Sequence, residues 1–279
     1  MFWNDFHFDS LTAAYLTVGL LIMLLAAWYG RKTMDGRQWP KFGYAVMLFC
    51  IGYCLTILSG STKALVIGWE LMGIASFLCM IPHRNLATGN SAKAFFIYRL
   101  GDVGLLLAMW ASHHLWRENT ALISFLLLAT ASAQSSQLPL SSWLPQAMDA
   151  SSAAGAMLLA ALVVQMGVFL LLRSMPLWEH QLSVRILIAS LGTATAALAT
   201  GFARVEPSMK RRIAFASMAQ VGLIFIEVAA GFKEIAMAHV GGKRTAESLP
   251  ADNIARPDQY RHPETQCYKL DRNLGRPPS

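Results

Sequence analysis

A lone carboxylate lies within an apolar run of the chain, and its position indicates proton or ion chemistry. The run from Ala64 to Ile81 contains one charged residue, Glu70, within Gly68-Trp69-Glu70-Leu71. An ionised carboxylate is costly at bilayer depth, so it usually faces a protein interior or a water-filled path and marks an ion or proton route. The alternative is a neutral acid that hydrogen-bonds to a neighbouring helix.

Four other ionisable residues lie in or beside apolar runs. Lys63 precedes Glu70 by two helical turns on the same face, where it either assists ionisation of Glu70 or only anchors the helix end. Arg99 and Asp102 are three residues apart, a spacing that permits an intrahelical ion pair. That pair is either structural or responds to Glu70. Glu227 is a second carboxylate in an apolar run.

The composition predicts an all-α integral membrane protein. Hydrophobic residues make up 55% of the chain, charged residues only 14%, and the mean hydropathy is +0.42. Soluble domains are about 25% charged. The net charge of +7 is spread over short loops and the C-terminal stretch, which argues against a nucleic-acid partner. The sequence lacks metal-ligand spacing, a phosphate-binding loop and a nucleophile motif, so we expect no catalytic centre, cofactor or metal in this chain.

Eight apolar segments approach the roughly 20 residues that a spanning helix needs. The fifth is short and is followed by Gln134, Ser135, Ser136, Pro139 and Pro145, so it is predicted to be interrupted. A broken helix is tolerated only where its backbone is buried in protein or lines a cavity, and such breaks indicate transport sites. The predicted segments are Leu11–Tyr29, Phe42–Leu58, Ala64–Ile81, Ala94–Ala111, Ala121–Ala133, Ala153–Leu172, Arg185–Phe202 and Ile213–Phe232.

The loop charges predict an orientation for this bundle. With eight spans, the first, third and seventh loops carry their Lys and Arg residues on one side of the membrane, which places the N-terminus on the non-cytoplasmic side. The fifth loop is expected on the basic side but contains neither Lys nor Arg. Residues 1–240 are therefore predicted to form a transmembrane domain, and residues 241–279 a polar, proline-containing tail.

Four motif blocks resemble one known family. The blocks begin with Gly68-Trp69-Glu70-Leu71-Met72-Gly73, Ala94-Phe95-Phe96-Ile97-Tyr98-Arg99, Gln137-Leu138-Pro139-Leu140 and Lys210-Arg211-Arg212-Ile213-Ala214-Phe215. In this order they are similar to the antiporter-like subunit 5, or subunit L, of respiratory complex I and to its relatives in Mrp-type antiporters. The resemblance runs from about residue 8 to 232. It implies a truncated, divergent member whose antiporter-like fold covers the first inverted repeat and part of the second.

The same resemblance implies a proton path with several positions altered. Glu70 and Lys210 match family proton-path residues, and Lys63 and Glu227 are further candidates for the path. Gln134 replaces the lysine of the broken helix. Gln146 replaces an aspartate, and Leu159 replaces a histidine. An amide exchanges no proton near neutral pH, so these replacements interrupt the path unless another subunit supplies the missing groups.

As function, the resemblance implies a membrane subunit of a complex I type NADH:quinone oxidoreductase that contributes to proton translocation or to assembly of the membrane arm. Other membrane subunits and the lipid bilayer are the expected partners, and a second chain that completes the fold is an open alternative. The expected location is the mitochondrial inner membrane or the bacterial plasma membrane. A structural relic without pumping and a membrane subunit of an inorganic-carbon uptake complex are the alternative functions.

Overall fold

The computed structural model describes Phe6 and residues 8–80, 88–114 and 120–248. In these ranges the apolar segments form long α-helices that run alternately between two faces of a bundle. The helices are α1 (Ser10–Thr33), α2 (Trp39–Leu58), α3 (Thr62–Met80), α4 (Thr88–His114), α5 (Thr120–Gln134), α6 (Trp143–Ala150), α7 (Ala153–Leu158), α8 (Gln165–Arg173), α9 (Met175–Trp178), α10 (Leu182–Val205), α11 (Met209–Ala230) and α12 (Lys233–Ser248).

The prediction of an all-α membrane fold is confirmed. Seven helical segments of the described chain are long and apolar enough to cross a membrane, and α5 is a shorter apolar helix. Of the eight predicted segments, only the fifth, which corresponds to α5, is absent from these seven, and it is the segment predicted to be interrupted. The protein is an integral membrane protein. Most of its membrane-spanning helices bury one face against neighbouring helices and expose large apolar side chains on the outside of the bundle.

The interruption lies where the sequence predicts it. Helix α5 ends at Gln134, residues 135–142 are not α-helical, and α6 begins at Trp143. Within this connection Ser136 adopts a φ of 53°, in the left-handed region that non-glycine residues seldom occupy. The surrounding structure must hold this residue in place, because such a conformation costs free energy on its own.

Neighbouring helices form hydrogen bonds with two polar groups of the interruption. The Ser135 hydroxyl donates to the carbonyl of Val164 at 2.8 Å, and the Leu138 amide donates to the Thr195 hydroxyl at 3.1 Å. Both side chains of the first pair are buried. Residues 135–137, where the helix first breaks, are buried in protein, which is the condition for a helix break at membrane depth.

The sixth predicted segment is continuous but not a single α-helix. Helix α7 leads into a π-helical turn at Leu159–Val163, where the Val164 amide donates to the Leu159 carbonyl at 3.3 Å, and α8 follows. Residues 154–172 are all buried inside the bundle. A π turn widens the helix locally, and such turns occur often at functional sites.

Helix α12 was not predicted as a separate helix. It runs from Lys233 to Ser248, so the predicted domain boundary at residue 240 falls within it. Its buried residues Ala236 and Val240 are one turn apart and form its apolar side. The sequence of this helix contains no long apolar run, so it was not recognised from its hydropathy. The remainder of the predicted tail, residues 249–279, lies outside the described residues.

The helix ends define two faces of the bundle. We call the end where α1 begins the N-terminal face; Arg173 at the end of α8 reaches it and forms an ion pair with Asp9 at 2.9 Å. We call the end where α11 begins the basic face. There the Lys210 ammonium donates to the Ser151 carbonyl at 2.7 Å. Lys210 of α11 therefore places a positive charge beside the fifth loop, whose own sequence contains neither Lys nor Arg.

Close contact between α2 and α3 depends on small residues. A Cβ atom at Gly68 would lie 2.6 Å from the Thr56 backbone nitrogen and 2.8 Å from the Gly52 carbonyl oxygen. Such close approach of backbones is how membrane helices pack without large side chains. The α3 helix that carries Glu70 is thus held against α2 at this crossing.

We expect Gly68→Leu to lower the free energy of unfolding by about 1–3 kcal/mol, because the new side chain meets backbone atoms that cannot move aside. Gly201→Leu is the matched control, since no atom lies within 4 Å of its added Cβ. Thermal unfolding of the purified variants in detergent measures the difference. Equal stability of both variants would show that the α2–α3 contact is not tight.

Candidate functional site

Glu70 lies in the middle of α3 and pairs with an arginine of α4. Its carboxylate oxygen Oε2 accepts a hydrogen bond from Nη1 of Arg99, and its backbone carbonyl accepts one from Nη2 at 3.3 Å. The Glu70 side chain is 38% exposed in the isolated chain, whereas that of Arg99 is largely buried. The arginine is therefore fixed at the α3–α4 contact, and the glutamate is the more accessible partner.

Arg99 also binds a second carboxylate. Its Nη1 lies 2.9 Å from Oδ2 of Asp102, which is one turn further along α4. The other oxygen of Asp102 accepts a hydrogen bond from the indole nitrogen of Trp69 at 2.8 Å. The Asp102 side chain is only 6% exposed, so both of its oxygens are held by buried donors. We call Glu70, Arg99 and Asp102 the charge cluster.

The charge cluster can take up one proton and still keep one of its two ion pairs. Two ionised carboxylates beside one guanidinium leave one surplus negative charge, and arginine remains protonated in proteins. Uptake of a single proton by a carboxylate makes the cluster neutral, and release restores the surplus charge. In a membrane interior a neutral cluster avoids the solvation cost of a net charge.

Two glycines position the charge cluster beside the helix break. Gly73 leaves room for the guanidinium, because a Cβ there would lie 2.8 Å from Nη2 of Arg99. Gly101 brings α4 against the end of α5, since its added Cβ would lie 2.3 Å from the Ala133 methyl group. Asp102 therefore lies on the turn of α4 that contacts the last residues before the interruption.

Lys63 does not contact the Glu70 carboxylate within the described residues. It lies exposed in the first turn of α3, so the geometry brings Arg99 and not Lys63 to Glu70. Lys210 lies at the basic face, where it binds the Ser151 carbonyl. The structure thus places the four candidate proton-path residues in different parts of the bundle: Glu70 in the middle of α3, Lys63 at its start, Lys210 at the start of α11 and Glu227 near its end.

The positions that depart from the family pattern are buried near the interruption. Gln134 is buried at the end of α5, and Leu159 is buried at the start of the π turn. Gln146 is half-buried in α6, and its side-chain amide oxygen has no hydrogen-bond partner among the described residues. None of these three side chains exchanges a proton near neutral pH.

A buried glutamine beside these positions has no counterpart among the residues predicted from the sequence. Gln165, the first residue of α8, is fully buried, and both atoms of its amide lack hydrogen-bond partners within the described chain. A buried, unpaired amide is costly in a protein interior. An uncharged residue inside an apolar run gives no sequence signal, except that glutamine is seldom fully buried.

Glu227 has a partner that was also missed. Its Oε1 lies 2.8 Å from Nδ1 of His239 on α12, and its Oε2 is buried without a hydrogen-bond partner among the described atoms. Both side chains are partly buried. Because α12 was not predicted, nothing in the sequence pattern indicated that His239 would face α11.

Comparison with known proteins agrees with this architecture. A family model described as NADH:quinone oxidoreductase/Mrp antiporter, TM, matches residues 59–241. The NADH-ubiquinone oxidoreductase chain 5 of Metridium senile is 32% identical over 256 residues, which cover 84% of this chain and 42% of that protein. That of Pongo abelii is 31% identical over 254 residues, or 85% of this chain and 42% of that protein. The chain therefore spans less than half the length of these relatives.

Two solved structures show the same fold. A chain of the Mrp complex from Dietzia sp. DQ12-45-1b superposes with a TM-score of 0.83 at 21% identity, covering 90% of this chain and 30% of that one. A chain of the archaeal membrane-bound sulfane sulfur reductase superposes with a TM-score of 0.78 at 18% identity, covering 92% and 47% respectively. With the family match over more than half of its residues, the chain belongs to the NADH:quinone oxidoreductase/Mrp antiporter family of membrane proteins.

Proposed function

We propose that this chain is a membrane subunit of a complex I type NADH:quinone oxidoreductase and that it contributes to proton translocation. The similarity to NADH-ubiquinone oxidoreductase chain 5 supports the choice of complex. The observation that carries the proton role is the charge cluster of Glu70, Arg99 and Asp102, which lies within the membrane-spanning helices. Its one surplus negative charge makes it a place where a proton is bound and released.

Within the cluster, Glu70 is the carboxylate that exchanges the proton. Asp102 is held by Trp69 and Arg99 on both oxygens and is almost fully buried. Among the described residues, the Glu70 carboxylate is hydrogen-bonded only to Arg99, and it is the more exposed of the two carboxylates. Arg99 keeps its charge throughout and stabilises the ionised state of either carboxylate.

A neighbouring subunit continues the path from Glu70. An ionised carboxylate that faces lipid is costly, so the exposed part of the Glu70 side chain is better explained by a protein or water contact on this side of α3. Towards the helix break, Gln134 and Gln146 bind water but transfer no proton of their own. The proton therefore needs ordered water or groups of another chain on both sides of the cluster.

A second candidate function is structural. Gln134, Gln146 and Leu159 stand at family positions that are usually titratable, and this observation favours a subunit that holds its neighbours without pumping. In that case the charge cluster serves only to fix α3 against α4. The two functions differ in whether protonation of Glu70 matters once the complex has formed.

The complex itself is identified by the proteins that purify with this chain. We expect native electrophoresis followed by mass spectrometry to find quinone-reductase subunits in the same band. A zinc-containing, carbonic-anhydrase-like partner in their place would assign the chain to inorganic-carbon uptake and would overturn the proposed complex. An assembly of Mrp-type antiporter subunits alone would also overturn it.

A further inference from the structure

A charged cavity lies at the N-terminal face, away from the charge cluster. Its volume is about 550 Å³, within the range of roughly 300–1,000 Å³ that is typical of small-molecule sites. Four charged residues line it, two acidic and two basic: Asp9, Glu179, Arg173 and Lys233. Their formal charges cancel, so the cavity suits a ligand that carries both signs of charge.

Two of these charges are already paired and two remain available. Arg173 binds Asp9 through Nη1 at 2.9 Å and the Ser59 carbonyl through Nη2 at 3.4 Å, and this pair forms one wall. Lys233 has no ion-pair or hydrogen-bond partner for its ammonium among the described residues. Among the described residues, the Glu179 carboxylate contacts only the surface residue His180, at 3.5 Å. The cavity therefore offers one unpaired cation and one weakly engaged anion.

An apolar cleft adjoins the charged cavity. It has a volume of about 200 Å³ and shares Ser59, Gly60 and Arg173 with the cavity. Beyond this shared rim its lining is dominated by five leucines, which come from α3, α4, α5, α8 and α9: Leu65, Leu105, Leu127, Leu170 and Leu177. We call this the leucine cleft. A polar chamber that continues into an apolar one matches an amphipathic ligand.

The position of both chambers matches the surface of a bilayer. Helices α1, α3 and α12 begin beside the charged cavity, and α2 and α8 end there. The ends of spanning helices lie at the level of lipid headgroups. From that level the leucine cleft extends among the helices, where acyl chains lie.

We propose that this paired site binds a zwitterionic aminophospholipid, with its headgroup in the charged cavity and one acyl chain in the leucine cleft. Lys233 binds the phosphate as a point charge, and Glu179 accepts hydrogen bonds from the primary ammonium. Phosphatidylethanolamine supplies both groups. Phosphatidylcholine cannot donate a hydrogen bond from its quaternary ammonium, and phosphatidylglycerol leaves Glu179 without a cation.

The test uses the full chain in nanodiscs that contain equal parts of phosphatidylethanolamine, phosphatidylglycerol and phosphatidylcholine, with native mass spectrometry of the retained lipid. We expect phosphatidylethanolamine to be retained about fivefold more than either competitor. This ratio corresponds to the affinity that one partly exposed ion pair contributes. Glu179→Gln is expected to shift the preference to phosphatidylglycerol, because the cavity then carries a net positive charge. Lys233→Gln is expected to weaken retention of all three lipids.

Matched controls separate this site from general charge effects. Glu234→Gln changes an exposed acid next to Lys233 that does not line the cavity, and Lys41→Gln changes an exposed lysine in another part of the chain. Both should retain lipid as the unaltered chain does. Leu177→Trp should reduce retention by filling the leucine cleft. Lipid retained in the bulk proportions, a preference for phosphatidylglycerol in the unaltered chain, or the same profile in all charge variants would overturn the proposal.

Discussion

Replacement of Arg99 by leucine is expected to lower the free energy of unfolding by about 3 kcal/mol. Removing one partner of a buried ion pair costs about 3–5 kcal/mol, because the remaining charge is left uncompensated. Here two carboxylates, Glu70 and Asp102, would lose their shared cation. The low end of the range applies because the Glu70 side chain is 38% exposed. Thermal or denaturant unfolding of the purified protein in detergent measures the loss.

Two further variants identify the origin of that loss. Arg99→Lys keeps the charge but cannot bind both carboxylates with the fork of a guanidinium, so it should lie between the unaltered protein and Arg99→Leu. Adding Asp102→Asn to Arg99→Leu removes the most buried unpaired charge and should restore part of the stability. An Arg99→Leu protein as stable as the unaltered one would show that the cluster does not hold α3 against α4.

The apolar runs predict most of the fold because bilayer thickness and helix geometry set the length of each span. The predicted segments Leu11–Tyr29 and Phe42–Leu58 fall within the observed α1 and α2. The interruption after α5 was also predictable, since serines and prolines replace apolar residues there. Helix α12 was missed because Ala236 and Val240 are the only buried residues among its described side chains and its sequence contains no sustained apolar run.

Part of the candidate site was predictable and part was not. Glu70, Arg99 and Asp102 each attract notice as charges among apolar residues, and the spacing of Arg99 and Asp102 indicates a local ion pair. The contact between Glu70 and Arg99 joins residues that are 29 positions apart, so it depends on how α3 and α4 pack. Helical periodicity placed Lys63 on the same face as Glu70. Lys63 lies at the start of α3, however, two turns from Glu70, and at that distance the two side chains do not meet.

The same reason explains the residues that only the structure reveals. His239 meets Glu227 because α12 packs beside α11. Gly231, with a φ of 89°, ends α11, but a glycine that ends a helix does not specify which residues meet afterwards. The leucine cleft is formed by residues from five helices, each of which looks like an ordinary core residue in the sequence. Long-range packing therefore decides which charged and apolar residues act together.

Glu70→Gln is expected to remove the proton transfer that passes through this subunit. The amide keeps the size of the side chain and its contact with Arg99, and Arg99 remains paired with Asp102, so assembly should be preserved. A positioned acid–base group contributes about 10²–10⁴-fold to the rate of a proton transfer. Loss of the titratable group should therefore abolish this route on the time scale of turnover. Glu70→Asp keeps a carboxylate and should retain part of the transfer.

The most direct measurement is the number of protons translocated per NADH oxidised by membrane vesicles that contain the assembled complex. The complex with Glu70→Gln should oxidise NADH with fewer protons translocated, while the exposed control Glu234→Gln should match the unaltered complex. Native electrophoresis of the same membranes confirms that assembly is equal. An unchanged ratio of protons to NADH in a fully assembled Glu70→Gln complex would contradict a proton-handling role for the charge cluster.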